Sequence, residues 1–377
     1  MKEAFLERKL EERRKEGALR QLTIREEMTD FCSNDYLGLA RSSRKNDFNK
    51  SPQFSLEGLS HGSTGSRLLS GNSAMAESIE SIIANFHDAP AALLFNSGYD
   101  ANTGILSVLG RKTDYILYDK LSHASIRDGI RLGYATAWPF EHNSISSLIS
   151  KIQHARQSIQ NAGIDGEIFV VTESVFSMDG DIAPLEEIAD ICGRYGAHLV
   201  VDEAHALGVI GERGEGCCQQ HNVHAKCFAR IYTYGKAAGA HGAAIVGSTL
   251  LREYLLNFAR SFIYTTALPP VSLIAIKHAY EQFPEMLKER IHLHKLIGIF
   301  RDAVLVHEKL DSNTAIQGVI LPGNDAVRLL AEKIQDAGFD VRPVMYPSVP
   351  KGKERLRIVL HAYNTTEELQ RLIGHLQ

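Results

Sequence analysis

The chain is poor in cysteine and has no long apolar run. Its 377 residues include five cysteines, an odd number, and its amino terminus is charged where a secretion signal would have an apolar core. These features predict a reducing compartment, the cytoplasm. No apolar stretch approaches the roughly 18 residues that a membrane-spanning helix needs, so a membrane span is not expected.

An excess of positive charge is also missing. The formal net charge is -4, and the charged segment near the amino terminus mixes both signs in the manner of a solvated helix. A nucleic-acid partner is therefore not expected. With 44% hydrophobic and 23% charged residues, the chain can bury the core of one large domain and a smaller one.

The segment "VDEAHALGV" at residues 201–209 has two interpretations. In helicases, Asp-Glu-Ala-His after a strand holds magnesium for ATP hydrolysis. In enzymes that use pyridoxal phosphate (PLP), an Asp three residues before a His holds the cofactor ring. The helicase interpretation requires a phosphate loop, G-x-x-x-x-G-K-[ST], which the chain lacks. A dinucleotide-binding fold is disfavoured too, because no G-x-G-x-x-G opens a helix after a strand.

Apolar, β-branched runs alternate with helical patterns between about residues 56 and 270. This alternation predicts a mainly parallel sheet with helices on both faces. The runs are "AALLF", "DYILYD", "EIFVVTES", "HLVVDEA", "RIYTYGK" and "GAAIVGS". Ser73 is predicted to cap a helix in which Ile79, Ile82, Ile83 and Phe86 share one face.

The two ends of the chain differ from this central region. Residues 1–20 have the pattern of an amphipathic helix on the outside of the protein. After Pro269 and Pro270, two or three helices and short strands ("AIQGVIL", "LRIVLHAY") predict a smaller α+β domain.

A PLP enzyme needs a lysine for a Schiff base, a carboxylate against the pyridine nitrogen and a donor-rich loop for the phosphate. Lys236 follows a short apolar strand, and Asp202 ends another. "FNSGYDAN" places Ser97, Gly98 and Tyr99 where a strand turns into a helix, so backbone amides and the Ser97 hydroxyl can face an anion. Each of these three elements alone is weak evidence for PLP binding, whereas the three together are specific for it.

Eight segments along nearly the whole chain resemble the α-oxoamine synthases, PLP enzymes that condense an amino acid with an acyl-CoA thioester. They are "CSNDYLGLA" (32–40), "GSTGSRLLSGN" (62–72), "LFNSGYDAN" (94–102), "DKLSHASIRDGI" (119–130), "TESVFSMDGDIAPL" (172–185), "VDEAHALGVIGERGEG" (201–216), "TYGKAAGAHGAA" (233–244) and "YTTALPP" (264–270).

The resemblance implies an α/β fold of PLP fold type I, like aspartate aminotransferase. Its mainly parallel, seven-stranded sheet would lie between helices, beside a smaller α+β carboxyl-terminal domain. We expect an amino-terminal helix and arm at residues 1–45 that packs on the small domain, the PLP-binding domain at 46–270 and the small domain at 271–377.

The same resemblance assigns four catalytic residues. Lys236 would bind the cofactor covalently and, once displaced by the substrate, act as the base. Asp202 would pair with the ring nitrogen, and His205 would hydrogen-bond the ring oxygen. His123 would stack on the ring face.

Further contacts to cofactor and substrate follow from the resemblance. Ser177 and Thr233 would complete the cofactor contacts. The family is homodimeric, and Thr265 or Thr266 would reach the cofactor phosphate of the partner subunit, so the active site would lie at the subunit interface. The expected ligands of the amino-acid substrate are Arg357, Asn34 and Arg20. The fork of an arginine suits the two oxygens of the substrate carboxylate.

Within the family, the length and the wording of several motifs favour condensation of L-alanine with pimeloyl-CoA, a step of biotin synthesis. Members that join glycine to acetyl-CoA, glycine to succinyl-CoA or serine to a palmitoyl thioester stay open, as does a carrier-protein thioester. An aminotransferase on the same fold and a catalytically silent partner subunit are further alternatives. Retention of the lysine and its partners disfavours the silent subunit.

"CCQQHNVHAKC" at residues 217–227 is rich in potential metal ligands. Three cysteines and two histidines in so short a stretch suggest zinc. Adjacent cysteines seldom chelate one ion well, so we expect ordinary thiols and no metal. The residues are Cys217, Cys218, His221, His224 and Cys227.

Overall fold

The computed structural model describes residues 3–20, 22–24, 27–41 and 60–377. The chain divides into a larger unit, residues 37–176 and 182–290, and a smaller unit, residues 1–36, 177–181 and 291–377. The expected boundary at 45/46 lies outside the described residues, and the one at 270/271 stays a prediction. Within the described residues, no helix has both the length and the hydropathy to cross a bilayer.

The larger unit contains a seven-stranded sheet. In chain order, after β1 of the smaller unit, its strands are β2 (Ala91–Phe95), β3 (Tyr115–Asp119), β4 (Thr136–Phe140), β5 (Ile168–Glu173), β6 (His198–Asp202), β7 (Cys227–Thr233) and β8 (Ala243–Gly247). Their order across the sheet is β2-β8-β7-β6-β5-β3-β4. Only β8 runs against its neighbours, so the predicted mainly parallel sheet is confirmed.

All six predicted runs form strands, and β4 was not among them. β4 lies at the edge of the sheet, and only Phe140 at its end is fully buried. Pro139 lies within it, a residue that strands accept at an edge, where no second neighbour needs its missing N–H. A short edge strand that is interrupted by a proline gives no β-branched run like those that predict the other six strands.

Helices pack on the sheet of the larger unit. They are α2 (Ala74–Phe86), α3 (Gly98–Leu106), α4 (Ala124–Leu132), α5 (Ile145–Ala162), α6 (Leu185–Tyr195), α7 (Cys217–Gln220), α8 (Thr249–Phe258), α9 (Arg260–Ile263) and α10 (Pro270–Gln282). The predicted cap of α2 is confirmed, because Ser73 Oγ accepts a hydrogen bond from Ala76 N at 3.2 Å. Ile79, Ile83 and Phe86 are buried, as their spacing predicts, whereas Ile82 is only half-buried.

The smaller unit has two small sheets. Strands β9 (Ile316–Ile320), β11 (Arg342–Val344) and β12 (Arg355–Val359) form an antiparallel sheet with β12 in the middle. β1 (Thr29–Asp30) pairs in parallel with β10 (Phe339–Asp340). Helices α12 (Asn324–Asp336) and α13 (Thr366–Gly374) follow, and α11 (Leu287–Asp302) begins in the larger unit. With α10, four helices follow residue 269, where two or three were predicted.

The amino-terminal helix is shorter than the sequence pattern predicts. α1 spans Ala4–Lys15 and buries none of its residues. It ends before Gly17, whose φ of +62° is a left-handed conformation that glycine adopts without strain. The prediction of a helix through residue 20 was therefore wrong at its carboxyl end, because a glycine within the charged pattern ends the helix.

One buried carboxylate joins α2 to the central sheet of the larger unit. Glu80 forms ion pairs with Arg67 at 2.8 Å and Arg252 at 2.9 Å, and it accepts a hydrogen bond from Leu94 N at 3.0 Å. Glu80 thereby fixes β2, and the strand leads directly into the "NSG" turn at residues 96–98.

We expect Glu80→Ala to destabilise the protein by about 3–5 kcal/mol, because it leaves two arginines near the core without their shared counter-charge. Chemical denaturation monitored by circular dichroism measures this loss. Glu281→Ala removes a surface ion pair with Lys277 and is the matched control, with an expected effect below about 1 kcal/mol. Equal effects of the two substitutions would contradict this account of Glu80.

Candidate active site

Asp202 lies at the carboxyl end of β6, the edge at which parallel sheets bind ligands. It is 6% exposed. Its Oδ2 accepts a hydrogen bond from Asn102 Nδ2 at 2.7 Å, and its Oδ1 accepts one from Ala204 N at 2.9 Å. Both donors are neutral, and in the described part of the chain Asp202 forms no ion pair with a basic side chain. A cationic ligand could therefore supply its counter-charge.

His123 is connected to Asp202 through two further side chains. Asn102 Nδ2 lies 3.0 Å from Ser125 Oγ, and Ser125 Oγ lies 2.8 Å from His123 Nδ1. Partial burial lowers the pKa of His123, and the positive charge of Lys236 lowers it further, while the charge of Asp202 opposes both. His123 is exposed to solvent, so a flat ring could stack on its imidazole.

Lys236 lies in the connection between β7 and the antiparallel β8, residues 234–242. Two backbone hydrogen bonds close this connection, from Tyr234 N to Gly242 O at 2.9 Å and from Ala240 N to Tyr234 O at 3.0 Å. Lys236 Nζ lies 2.7 Å from His205 Nε2. The structure thus brings together two of the four predicted catalytic residues, and His123 joins Asp202 through the chain described above.

The start of α3 provides a site for an anion. Ser97 caps the helix, because its Oγ accepts a hydrogen bond from Asp100 N at 3.0 Å. A Cβ added to Gly98 would lie 2.1 Å from Thr233 Oγ1, so only glycine fits there. The helix amino terminus and the Thr233 hydroxyl are therefore adjacent, an arrangement that suits a phosphate group.

Some predicted cofactor contacts have other partners in this chain, among them Ser97, whose Oγ donates to Asp100 Oδ2 at 2.8 Å. Tyr99 donates a hydrogen bond from its hydroxyl to Asp128 Oδ2 at 2.6 Å. Thr265 Oγ1 accepts one from Asn96 Nδ2 at 2.9 Å. Thr266 is exposed, and its backbone oxygen accepts a hydrogen bond from the same amide at 2.8 Å. Asn96 thus fixes the segment that the sequence predicts to reach a partner subunit.

Glu173 was not predicted from the sequence. It ends β5, and its Oε1 accepts a hydrogen bond from His123 N at 2.6 Å. In the parallel register it lies opposite Asp202. Burial, and then the negative charge of Asp202, raise the pKa of Glu173 to about 8. A protonated Glu173 leaves Asp202 and Asp119 as the carboxylates at this edge of the sheet, and Asp119, which ends β3, lies 3.0 Å from His142 Nδ1.

In the smaller unit, the structure brings together Arg357, Asn34 and Ser177. Arg357 donates a hydrogen bond from Nε to Ser177 O at 2.9 Å and one from Nη2 to Asn34 Oδ1 at 3.1 Å. Both contacts are to neutral oxygens, which leaves the positive charge available for a carboxylate. Arg20 is exposed and donates a long hydrogen bond, 3.5 Å, to Ser348 Oγ.

Glu203, the residue that a helicase would use to activate water, has a structural role in this chain. It is fully buried and accepts hydrogen bonds from Ser174 Oγ at 2.7 Å, Cys217 N at 3.0 Å and Cys218 N at 2.6 Å. These contacts satisfy the carboxylate within the protein. They explain Glu203 as an anchor for the short helix α7.

The potential metal ligands between Cys217 and Cys227 do not converge on one point. Cys217 and Cys218 are buried, Cys227 Sγ lies 3.8 Å from Cys218 Sγ, and His221 Nδ1 lies 2.9 Å from Glu186 Oε1. Across residues 3–20, 22–24, 27–41 and 60–377, no group of three or more His, Cys, Asp or Glu side chains has the arrangement of a metal site.

The arrangement of the larger unit fits PLP. Asp202 suits a protonated ring nitrogen, and the start of α3 with Thr233 suits the phosphate. Lys236 and His205 lie together as a primary amine and an imidazole, which suit the aldehyde and the ring oxygen. These observations agree with the cofactor that the sequence predicts.

Comparison with known proteins identifies the family. A family model described as aminotransferase class I and II matches residues 26–376. An 8-amino-7-oxononanoate synthase of Emericella nidulans is 41% identical over 380 residues, which cover 96% of this chain and 92% of that protein. The chain belongs to the α-oxoamine synthase family of PLP-dependent acyltransferases.

Solved structures of α-oxoamine synthases share this fold. The 8-amino-7-oxononanoate synthase of Francisella tularensis has 30% identity and a TM-score of 0.73, over 93% of this chain and 97% of that one. A variant of the serine palmitoyltransferase from S. paucimobilis, solved with PLP and myriocin, has 25% identity and a TM-score of 0.86, over 100% and 96%. Fold type I and the PLP cofactor are thus confirmed.

We expect Glu173→Gln to change how the stability of the PLP-free protein depends on pH. The raised pKa, about 8 against an ordinary value of 4.5, means that the folded state favours protonated Glu173. Its contribution to stability is therefore fully present below the ordinary value and is lost as the pH rises toward 8. Glutamine has no proton to lose, so the variant should gain stability relative to wild type across this window.

Urea-unfolding midpoints of both proteins between about pH 5 and pH 9 test this prediction. Glu187→Gln, an exposed position in the first turn of α6, is the control and should follow wild type. Parallel curves for wild type and Glu173→Gln would show that Glu173 is ionised throughout.

Proposed function

We propose that the protein condenses L-alanine with pimeloyl-CoA, giving 8-amino-7-oxononanoate, CoA and carbon dioxide, as in biotin synthesis. The observation that carries the choice of substrates is the 41% identity with the Emericella nidulans protein of that name, over nearly the full length of both chains. The PLP site in the larger unit supports the reaction class.

Asp202, His205 and His123 would hold the cofactor ring from three directions. Asp202 would keep the ring nitrogen protonated, His205 would donate to or accept from the ring oxygen, and His123 would cover one face. Ser97, with the amides that follow it, would bind the phosphate. When bound, PLP supplies an electron sink for the bonds that break at the substrate's Cα.

Lys236 would hold the cofactor and then serve as the base. With the amino acid bound, the Nζ of Lys236 would remove its Cα proton. The contact of 2.7 Å to His205 Nε2 gives that amine a neighbour which can orient it. The substrate carbon that has lost its proton would form the new bond to the thioester carbonyl, with CoA as the leaving group. Carbon dioxide would then leave, and a proton would return to the same carbon to complete the α-amino ketone.

The remaining predicted residues have supporting roles in this proposal. Arg357 would bind the carboxylate of the amino acid, with Asn34 holding the guanidinium in orientation. The remaining cofactor contacts would come from Thr233, Gly98, Tyr99 and Ser177.

We further propose a homodimer with an active site at the subunit interface. Thr265 or Thr266 would reach the phosphate bound to the partner. The exposed side chain of Thr266 and the exposed Tyr264 beside it support this role, because a segment that serves a second subunit must present its side chains outward. Arg20 would approach the substrate from the amino-terminal segment.

A second candidate is condensation of serine with a long-chain acyl-CoA. It is favoured by the TM-score of 0.86 with the serine palmitoyltransferase, against 0.73 with the Francisella tularensis synthase. The identities, 25% and 30%, rank the two relatives in the opposite order.

The deciding assay offers alanine, glycine or serine with pimeloyl-, acetyl-, succinyl- or palmitoyl-CoA and follows thiol release. We expect the highest kcat/KM for alanine with pimeloyl-CoA. A preference for another pair would reject the biotin assignment within the same family.

Lys236→Ala should lose the visible absorbance of the PLP-loaded protein and its turnover. A wild type that binds PLP yet releases no thiol with any pair would favour the silent partner subunit.

We expect Arg357→Lys to raise the KM for the amino acid by roughly 10- to 100-fold, the equivalent of one charged hydrogen bond, because lysine lacks the fork that matches a carboxylate. The KM for the acyl-CoA should change little. Arg194→Lys, an exposed arginine at the end of α6, is the control. An unchanged KM for the amino acid would remove Arg357 from the substrate site.

A further inference from the structure

Four polar side chains form one unbroken series of hydrogen bonds in the larger unit. It runs from Asp202 Oδ2 to Asn102 Nδ2 at 2.7 Å, from the same Nδ2 to Ser125 Oγ at 3.0 Å, and from Ser125 Oγ to His123 Nδ1 at 2.8 Å. Asn102 and Ser125 are 2% and 1% exposed, so water does not replace these bonds. Neither residue was assigned a role from the sequence.

The charge of Asp202 determines the orientation of the Asn102 amide. A carboxylate only accepts hydrogen bonds, so the amide must turn its NH2 group toward it. The same nitrogen lies within reach of Ser125 Oγ, so Asn102 donates in both directions. Asn102 Oδ1 is buried and accepts no hydrogen bond from the described residues. If the amide were reversed, Asn102 Oδ1 would face Asp202 Oδ2, and two acceptors would then lie against each other.

The orientation of Ser125 follows from that of Asn102. Its Oγ accepts from the amide, so its single hydroxyl proton is free to point toward His123 Nδ1. The backbone N–H of Ser125 donates to the same Nδ1 at 3.2 Å. A backbone N–H cannot act as an acceptor, so Nδ1 must be the unprotonated nitrogen of the ring. The Asp202 end and the His123 end of the series therefore both require Ser125 to donate its hydroxyl proton to His123 Nδ1.

We propose that Asn102 and Ser125 are positioning residues that transmit the charge of Asp202 to His123 and fix its imidazole as the neutral tautomer with the proton on Nε2. The proposal rests on the roles proposed above for Asp202 and His123. An imidazole held in this way does not flip, and its Nε2–H stays available as a donor to the ligand. The lowered pKa of His123 agrees with a neutral ring.

Nitrogen NMR of the full-length chain labelled with [15N]histidine tests the proposal, before and after loading with PLP. The His123 signals are identified by their loss in His123→Gln. We expect Nδ1 to have the shift of an unprotonated ring nitrogen and Nε2 that of a protonated one. A proton on Nδ1, or a charged ring near neutral pH, would overturn the proposal, and both are read from the spectra of the wild-type chain once its His123 signals are identified.

Two variants test the route. Ser125→Ala should reduce the tautomer ratio by roughly 2- to 10-fold, the equivalent of one neutral hydrogen bond. Asn102→Ala should shift it in the same direction. If Asn102 acts through Ser125, the double variant should match Ser125→Ala alone. If adding Asn102→Ala to Ser125→Ala changed the tautomer ratio further, the result would contradict a route through Ser125.

Ser81→Ala, an exposed serine on α2, is the matched control and should leave the His123 signals unchanged. The NMR measurement is independent of turnover. A wrong tautomer with normal thiol release would reject this inference alone, whereas a protein that never binds PLP would reject the proposed function and leave the tautomer result standing.

Discussion

The arrangement of the candidate active site depends on keeping the Asp202 carboxylate charged and uncompensated. A buried charge is unfavourable unless it is hydrogen-bonded, and the two oxygens of Asp202 accept from Asn102 and from the backbone N–H of Ala204. Neutral donors hold the carboxylate without neutralising it. In the proposed function, a protonated ring nitrogen would provide the positive charge, and Asp202 would in turn keep that nitrogen protonated.

The neighbouring buried carboxylates are satisfied by other means, which keeps their chemistry apart from that of Asp202. Glu80 is neutralised by two arginines, and Glu203 accepts from backbone amides and a serine hydroxyl. Glu173, opposite Asp202 in the sheet, favours a proton instead. Among these four carboxylates, Asp202 is thus the one suited to bind a cation.

Sequence patterns predicted the parts of this protein that depend on contiguous residues. Each buried strand is an apolar run, and Asp202 and Lys236 follow such runs directly. The edge strand β4 was missed because it is short and interrupted by a proline, and the end of α1 was missed because a single glycine decides it. Asn102, Ser125 and Glu173 lie inside quoted motifs, yet their roles arise from hydrogen bonds between separate elements, which no spacing along the chain reveals.

The reversed strand β8 has a consequence for the mobility of Lys236. Parallel neighbours would require a long crossover between them, whereas the antiparallel pairing of β7 with β8 joins them through residues 234–242 alone. A short connection closed by its own backbone hydrogen bonds has few conformations to lose, so the entropic penalty for holding the lysine in place is small. In the proposed function, the amine would leave and regain its bond to the cofactor while its backbone stays in the same place.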